Sequence, residues 1–481
     1  MNNNNSRLPS DKRKEPQVGA FLHETHRTSV RKVCVFGITL LLCFLIGLLF
    51  PLRPTTSALE KRELTKFPEI TWTTFWDGSY FTQISEWYAD TYPFRESLLG
   101  AYHRLQEMYG LRGEQLVGGN DKVAEEIPDL PTNNENPAVS DIVIADRAET
   151  GSIIVTNSPD PAVTDAPAQT TAPPTGGGDV PEPEQSGSLY IVGDSAYDLY
   201  YFNTASSDRY ASLISRASQK LAGKADVYSL LIPLSYSINL DQNTQKKIGV
   251  SDGEQAINYM YAKMDASVKK VPIFKTMQAH ADEYLYFRTD HHWTALGAYY
   301  AYSVFCAIRG ISATPLSGYI VTTYDGFLGT HYSATGSSKL KADTITAYIP
   351  TATNAIYITD RGSERLKYSK GIVTPNIGAM YAAVGSQYNC FLLGDHALGE
   401  IHNETKTDGS SILVVKESFG NAFVPFLVDS YEYVYVVDAR YYDGDLVEFV
   451  TSRGVKDVLF INNLSATGAS ARLNELEDFI G

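Results

Sequence analysis

The stretch Asp290-His291-His292-Trp293 sets an acid and an imidazole two residues apart. In an extended segment alternate side chains share a face, so Asp290 and His292 project together while His291 projects the other way. A carboxylate so placed holds the Nδ1 proton of the imidazole and leaves Nε2 free as a general base. Such a base needs a nucleophile. Ser418, in Lys416-Glu417-Ser418-Phe419-Gly420-Asn421, follows an apolar run at a strand-to-helix turn, where free backbone N–H groups can bind a developing oxyanion. Ser195, in Gly193-Asp194-Ser195 after the run LYIV, is a rival. The plain alternative is a buried histidine pair beside a core tryptophan, with a serine that merely caps a helix. A metal site would draw on Asp290, His291 and His292 with His331, His396 or His402. HExxH and paired Cys/His spacings are absent from the sequence, so no metal is expected.

Elements able to position these residues begin near Ser188. SLYIV reads as a strand, residues 207–222 as a helix ended by Gly223, ADVYSLLIP as a buried strand, 253–269 as a helix and VPIFKT as a strand. Thr294 is a good N-cap for a helix over ALGAYYAYSVFCAIR, closed by Gly310. Between Gly310 and Ser410 the pattern weakens into Thr- and Tyr-rich segments, read as an inserted antiparallel β region. Regular alternation returns with SSILVV, FGNAFVPFLVDSY, EYVYVV, Leu446 to Arg453, DVLFI and a last helix near Leu473. Alternating β and α runs predict an α/β fold with a mainly parallel sheet covered on both faces. In such a sheet the site lies at the carboxyl ends of the strands. Three strand ends qualify: the Ser418 turn, Asp438-Ala439-Arg440-Tyr441, and Asn462-Asn463.

The rest of the chain speaks of location. Residues 1–32 form a polar basic tail with Arg7, Lys12, Arg13, Lys14, Arg27, Arg31 and Lys32. Residues 33–50 are uncharged and apolar, and as a helix they span about 27 Å at 1.5 Å per residue, close to a hydrocarbon core of about 30 Å. No small-x-small cleavage site precedes Pro51, so this reads as an uncleaved signal anchor. With the basic side N-terminal, the tail is cytoplasmic and the main domain extracytoplasmic. Residues 54–118 read as a helical juxtamembrane stalk or cap, with Trp72, Trp76, Tyr80, Phe81, Ile84, Trp87 and Tyr88 at helical spacing. Residues 119–187 hold ten prolines, and no Phe, Trp or Tyr occurs from Asp121 to Gly187, the composition of a disordered acidic linker. Asp141 to Asn157 could form a short hairpin within it. Residues 121–187 carry thirteen acids and two bases, -11 of the total formal charge of -15. A general nucleic-acid binder is therefore excluded. Four cysteines, two of them in the apolar run, make no disulfide framework; the sequence leaves a single Cys306–Cys390 bridge open and offers nothing in its support.

Together TDHHWT with GAYYAY, VVKESFGNAFVPFL, YVYVVDARYYDG and KDVLFINN resemble the DHHW protein family, a group similar to the alginate O-acetyltransferase branch of SGNH-like enzymes. The resemblance runs from about residue 54 to the C-terminus. It implies an SGNH-like three-layer domain over 188–481, outside the membrane. Gly193-Asp194-Ser195 looks like the serine block of ordinary SGNH hydrolases, but in the acetyltransferase branch the Asp-x-His pair precedes the serine, which favours Ser418. The resemblance thus implies Asp290 as orienter, His292 as base and Ser418 as nucleophile. Lys-Glu-Ser stands where Asp-Ser is typical of the group, and the acidic segment looks like an insertion.

The expected function is that of a membrane-anchored O-acyltransferase or esterase acting on cell-surface polysaccharide or an acyl-sugar. Asn421 would assist at the oxyanion, and Arg440, Tyr441 and His291 would line a sugar rim. The chemistry needs no cofactor. Its partners would be the glycan, the membrane and a membrane-bound acyl-donor protein. The alternative is a non-catalytic cell-envelope protein that binds glycan or serves as a scaffold.

Overall fold

The computed structural model describes residues 189–481 apart from 338, 361 and 376–386, shorter stretches at 124–128, 142–148, 154–156 and 184–186, and scattered positions between 35 and 92. The apolar run 33–50 lies outside the described residues except at Val35 and Thr39. Among those described, no helix is long and apolar enough to cross a membrane.

The chain divides into two compact units, residues 1–57 with 62–108, and residues 58–61 with 109–481. In the first, β1 (Thr56–Ser57) pairs antiparallel with β2 (Arg62–Glu63). Trp72, Tyr80, Ile84, Trp87 and Tyr88 are helical, as the periodicity requires. Trp87 is buried, with the ring of Phe67 edge-on at 4.8 Å and the Arg53 guanidinium 3.8 Å above it. Trp72 is 81% exposed, so the aromatic stripe is not one buried face.

The second unit contains a mixed α/β domain built on an eight-stranded sheet. Five strands are parallel: β7 (Asp226–Ile232), β8 (Lys269–Lys270), β14 (Ser411–Lys416), β15 (Tyr433–Val437) and β16 (Asp457–Asn463), in the spatial order 15-14-16-7-8. Three strands of the inserted region extend the β15 edge antiparallel: β13 (Leu398–His402), β11 (Ile356–Thr359) and β12 (Leu366–Tyr368). β14 lies in the middle, buried along its whole length, because helices cover both faces of a parallel sheet. Helices α1 (Thr204–Lys220), α2 (Gly253–Lys263), α3 (Ala295–Arg309), α4 (Gly420–Leu427), α5 (Leu446–Arg453) and α6 (Ser470–Ile480) stand where the sequence reading put helices, except that α2 ends at Lys263, six residues short of the reading, and Lys269–Lys270 are strand β8. As anticipated, Thr294 Oγ1 caps α3 by accepting from Gly297 N, and Gly310 ends it in the left-handed conformation (φ 78°).

Three readings are corrected. VPIFKT is no strand: Pro272 offers no ladder N–H, β8 ends before it, and residues 274–279 form a short helix. LYIV is a strand, β5 (Leu189–Val192), but the two-residue turn Gly193-Asp194 folds it back on β6 (Ser195–Asp198) in a separate antiparallel sheet with β4 (Glu184–Ser186). The acidic segment is folded where it is described. Glu125 accepts from Asn203 Nδ2 (2.6 Å) and Thr204 N (2.7 Å) at the start of α1. Ile144 N donates to Thr276 Oγ1, Ile144 O bonds His280 Nε2 at 2.7 Å, and Ile142 and Ile144 pack on the core. Alternating isoleucines and satisfied backbone groups supply what the low aromatic content could not. Among the described residues of 141–157 no hairpin pairing occurs; β3 (Ile154–Thr156) pairs parallel with β9 (Ile320–Phe327) of the inserted region, which pairs antiparallel with β10 (Asp343–Ile349). Cys306 and Cys390, whose pairing the sequence left open, are both free and buried.

Candidate active site

The Asp290–His292 pair forms through a bend rather than an extended strand. Tyr286 and Trp293 bridge across the loop, Phe287 N donates to His292 O, and Thr294 N to Leu285 O. Within that bend Asp290 Oδ1 accepts both the His292 backbone N–H (3.0 Å) and Nδ1 (2.6 Å), a local closure of the kind Asp favours in turns. A carboxylate can only accept, so Nδ1 carries the proton and Nε2 is the free lone pair. That lone pair faces Ser418 Oγ at 2.7 Å. Residues 126 apart in sequence thus form one Ser–His–Asp chain of hydrogen bonds. Burial alone would raise the Asp290 pKa, but the charges of His292 and His291, the His292 hydrogen bond and the Thr330 amide hold it well below the usual carboxylate range. Asp290 therefore stays ionised.

Around the loop, the inserted region supplies the scaffold. Thr330 N donates to Asp290 Oδ2 at 2.8 Å, and a Cβ on Gly329 would lie 2.2 Å from the Asp290 Cβ, so only glycine admits the carboxylate here. Asp343, at the first residue of β10, is fully buried. It accepts from Thr289 N (2.9 Å), Thr289 Oγ1 (2.6 Å), Arg288 N (3.3 Å), Arg288 Nε (3.2 Å) and the Tyr284 hydroxyl. Replacing one acceptor oxygen by an amide turns donor against donor, so Asp343→Asn is expected to cost about 1–3 kcal/mol in urea unfolding. An unchanged midpoint would show that the hub does not hold the loop.

Ser418 sits between β14 and α4, half-buried, while His292 and Asp290 lie behind it. Glu417, the departure from Asp-Ser, points away from the serine: Oε1 accepts from Asn463 N and Nδ2 (3.0 Å each), and Oε2 from Phe419 N (3.0 Å). The turn is thereby tied to the end of the neighbouring strand β16. Trp293 Nε1 donates to Phe419 O at 2.9 Å, joining the two loops by a buried bond of the sort that contributes about 1 kcal/mol net. The Ser418 backbone N–H takes part in none of these contacts.

A family model described as DHHW protein matches residues 60–437. The chain belongs to this family. It is similar to the crystal structure of a DHHW family protein from Eubacterium siraeum DSM 15702, at 27% identity over 63% of this chain and 99% of that one, with a TM-score of 0.56. It is also similar to Bacillus cereus PatB1, solved with a sulfonyl adduct, at 18% identity over 61% of this chain and 96% of that one, with a TM-score of 0.48. No curated protein matches the chain.

The other residues singled out from the DHHW sequence pattern fall into two groups. His291 stands at the site, its ring 3.9 Å from that of His292 and its Nδ1 2.6 Å from Thr330 Oγ1. Asn421 and Arg440 belong to an ion network instead. Asn421 Nδ2 donates to Asp395 Oδ1 (2.9 Å), while Arg440 pairs with Asp395 (2.7 Å) and Asp438 (2.5 Å), and Lys416 with Asp395 (2.6 Å). Asn421 is buried with its amide nitrogen turned to Asp395, which leaves backbone N–H as the oxyanion donor this turn offers. Tyr441 is 43% exposed beside the Arg440 guanidinium. Ser195 lies buried in β6 with Oγ on Asp194 Oδ1 (3.3 Å), away from any strand-to-helix turn.

As to metal ligands, Asp290, His291 and His292 each offer an atom within 4.8 Å of the others. Both His292 nitrogens and both Asp290 oxygens are already hydrogen-bonded, so an ion would have to break the Ser–His–Asp chain. His331 is paired with Asp198 (3.2 Å), His396 with Asp360 (3.0 Å), and His402 stacks on Tyr433. Only His331 is near, its ring 6.4 Å from His291. The donor set fits acid–base chemistry better than a metal.

His291 keeps some exposure, yet desolvation, with the charge of His292, lowers its pKa to about 4. Its folded value is below the ordinary 6.5, so the unfolded chain binds more protons between the two, and stability falls as pH drops from about 6.5 to about 4. The urea midpoint is expected to fall over that window more steeply in the natural chain than in His291→Gln. Equal slopes would exclude this origin. His331 acts in another window: burial opposes its charge but Asp198 prevails and raises its pKa, so its contribution is lost only as pH rises above 6.5.

Tyr388, Asp343, Thr330 and Gly329 carried no signal in the sequence. They lie in the Thr- and Tyr-rich insertion, where no periodicity or spacing marks one residue above another. Glu417 was visible only as a departure from a pattern.

Proposed function

We propose that this protein is an SGNH-like O-acyltransferase or esterase that acts on cell-surface polysaccharide through Ser418, His292 and Asp290. The observation that carries the reading is the 2.7 Å contact between Ser418 Oγ and His292 Nε2, with Asp290 on Nδ1 at 2.6 Å. The neutral His292 takes the hydroxyl proton as Ser418 Oγ attacks the carbonyl carbon of an acyl ester. Negative charge gathers on the carbonyl oxygen, where the Ser418 N–H at the entry to α4 can meet it. Collapse of the tetrahedral species expels the alcohol, which receives the proton from His292 and leaves an acyl-serine. In the second half His292 deprotonates a sugar hydroxyl or water, which attacks the acyl carbon; the bond to Ser418 Oγ breaks and His292 Nε2 returns the proton to Oγ, restoring the neutral serine and imidazole. Asp290, ionised throughout, stabilises the imidazolium and keeps the productive tautomer.

Polysaccharide as acceptor rests on the resemblance of the DHHW and Lys-Glu-Ser blocks to the alginate O-acetyltransferase branch, and a site outside the membrane on the basic tail and apolar run of residues 1–50. Tyr441 and His291 are the rim residues this reading retains. The test is to expose the detergent-solubilised full-length chain to a fluorophosphonate and to an activated acetyl ester. Labelling with ester turnover supports the proposal. Neither, over a broad pH range, would favour glycan binding without chemistry.

A further inference from the structure

Tyr388 belongs to the short 3-10 turn Gln387–Cys390 of the inserted region, distant in sequence from both reacting loops. It touches both of them. Its ring lies flat on His292, with centroids 3.9 Å apart and planes 10° from parallel, and its hydroxyl donates to the backbone oxygen of Ser418 at 3.1 Å. The ring is itself braced edge-on by Phe287 (6.3 Å) and Phe391 (5.4 Å) and is buried. Burial pushes the phenol well above its ordinary pKa of 10, aided by the charges of Asp290 and Glu417, so it remains a hydrogen-bond donor.

The geometry matters because the Asp290 bond alone does not aim the base. A single hydrogen bond at Nδ1 fixes a distance, but coupled rotation about the Cα–Cβ and Cβ–Cγ bonds can still tilt the imidazole plane. A flat stack sets the ring plane, and the plane decides whether Nε2 faces Ser418 Oγ. The Ser418 carbonyl contact then ties the serine turn to the same rigid side chain. An ordinary core tyrosine buries its ring against aliphatic neighbours and satisfies its hydroxyl on any nearby acceptor; here the stacked ring and the acceptor are the two reacting residues.

We propose that Tyr388 is a positioning residue for acyl transfer, holding His292 and Ser418 in register through one side chain. The inference rests on the acyl-transfer reading above. Misplacement of reacting groups by about 1 Å can cost about 10²-fold in rate, so Tyr388→Leu is expected to lower kcat for an activated acetyl ester by about 30- to 100-fold, with KM within about twofold. Fluorophosphonate labelling should slow by a similar factor. Tyr388→Phe keeps the stack and loses one hydrogen bond worth about 1 kcal/mol, so its kcat should stay within about fivefold of the natural chain.

The measurements use the full-length chain in detergent. The idea fails if Tyr388→Leu keeps kcat within threefold, if KM rises while kcat holds, or if Tyr388→Phe falls as far as Tyr388→Leu. Should Tyr388→Leu not fold, Tyr388→Phe and the planar Tyr388→His decide: retained turnover supports the role, and loss to the level of Ser418→Ala in both overturns it. A natural chain that neither labels nor turns over ester overturns the acyl-transfer reading itself, a result separable from any of these.

Discussion

Ser418→Ala is expected to lower turnover of an activated acetyl ester by about 10³- to 10⁴-fold and to abolish fluorophosphonate labelling. Alanine removes the hydroxyl that meets His292 Nε2, while Glu417, Asn463 and Trp293 continue to hold the backbone in place. Stability should therefore change little, and the loss appears in kcat rather than in folded yield. Ser195→Ala is the matched control. That serine is buried in β6 and bonded to Asp194, so its loss should leave labelling and rate within about twofold, the behaviour of a position outside the reacting groups. Labelling that survives in Ser418→Ala and disappears in Ser195→Ala would reverse the assignment.

Asp290→Asn should be nearly as severe, about 10³-fold or more in kcat, for a reason the geometry makes explicit. Asp290 Oδ1 accepts from two donors of His292, and Oδ2 accepts from Thr330 N. An asparagine has one acceptor oxygen to offer to these two sides. If its oxygen stays on Thr330, its NH₂ faces Nδ1, the imidazole takes the other tautomer, and Nε2 carries a proton and cannot act as base. If it flips, the NH₂ meets the Thr330 N–H at a distance meant for a hydrogen bond. Gly329 packs against the carboxylate too closely for the side chain to swing aside. Turnover by Asp290→Asn within tenfold of the natural chain would mean that His292 is oriented without it. Rescue in the more extended Asp290→Glu is not expected, because the added methylene has no room beside Gly329.

Much of the α/β frame was legible because it is written locally. β7, β14, β15 and β16 are built on short apolar runs (LLI, ILVV, YVYVV and VLFI), and α3 carries its own cap at each end. The errors fell where local signals compete. VPIFKT has strand-like composition, but Pro272 and the two-residue pairing of β8 decide otherwise. Residues 142–148 look too poor in aromatics to fold, yet two isoleucines suffice once α3 and the 274–279 helix offer a surface and hydrogen-bond partners.

The candidate site divides along the same line. An acid two residues before a histidine, and a serine at the end of an apolar run, are facts of the sequence, and they single out Asp290, His292 and Ser418. The sequence also determined the basic tail and apolar run that bear on location. Only the tertiary structure decided that the serine facing His292 is Ser418, since the pairing of β14 with β16 and the approach of the Ser418 turn to His292 join residues far apart in sequence, whereas Ser195 lies in a local hairpin across Gly193-Asp194. The same holds for the residues that aim the chemistry. Asp343, Thr330 and Tyr388 reach the site from a region without periodicity, because a hydrogen bond or a ring stack depends on three-dimensional proximity, which chain folding creates between residues far apart in sequence.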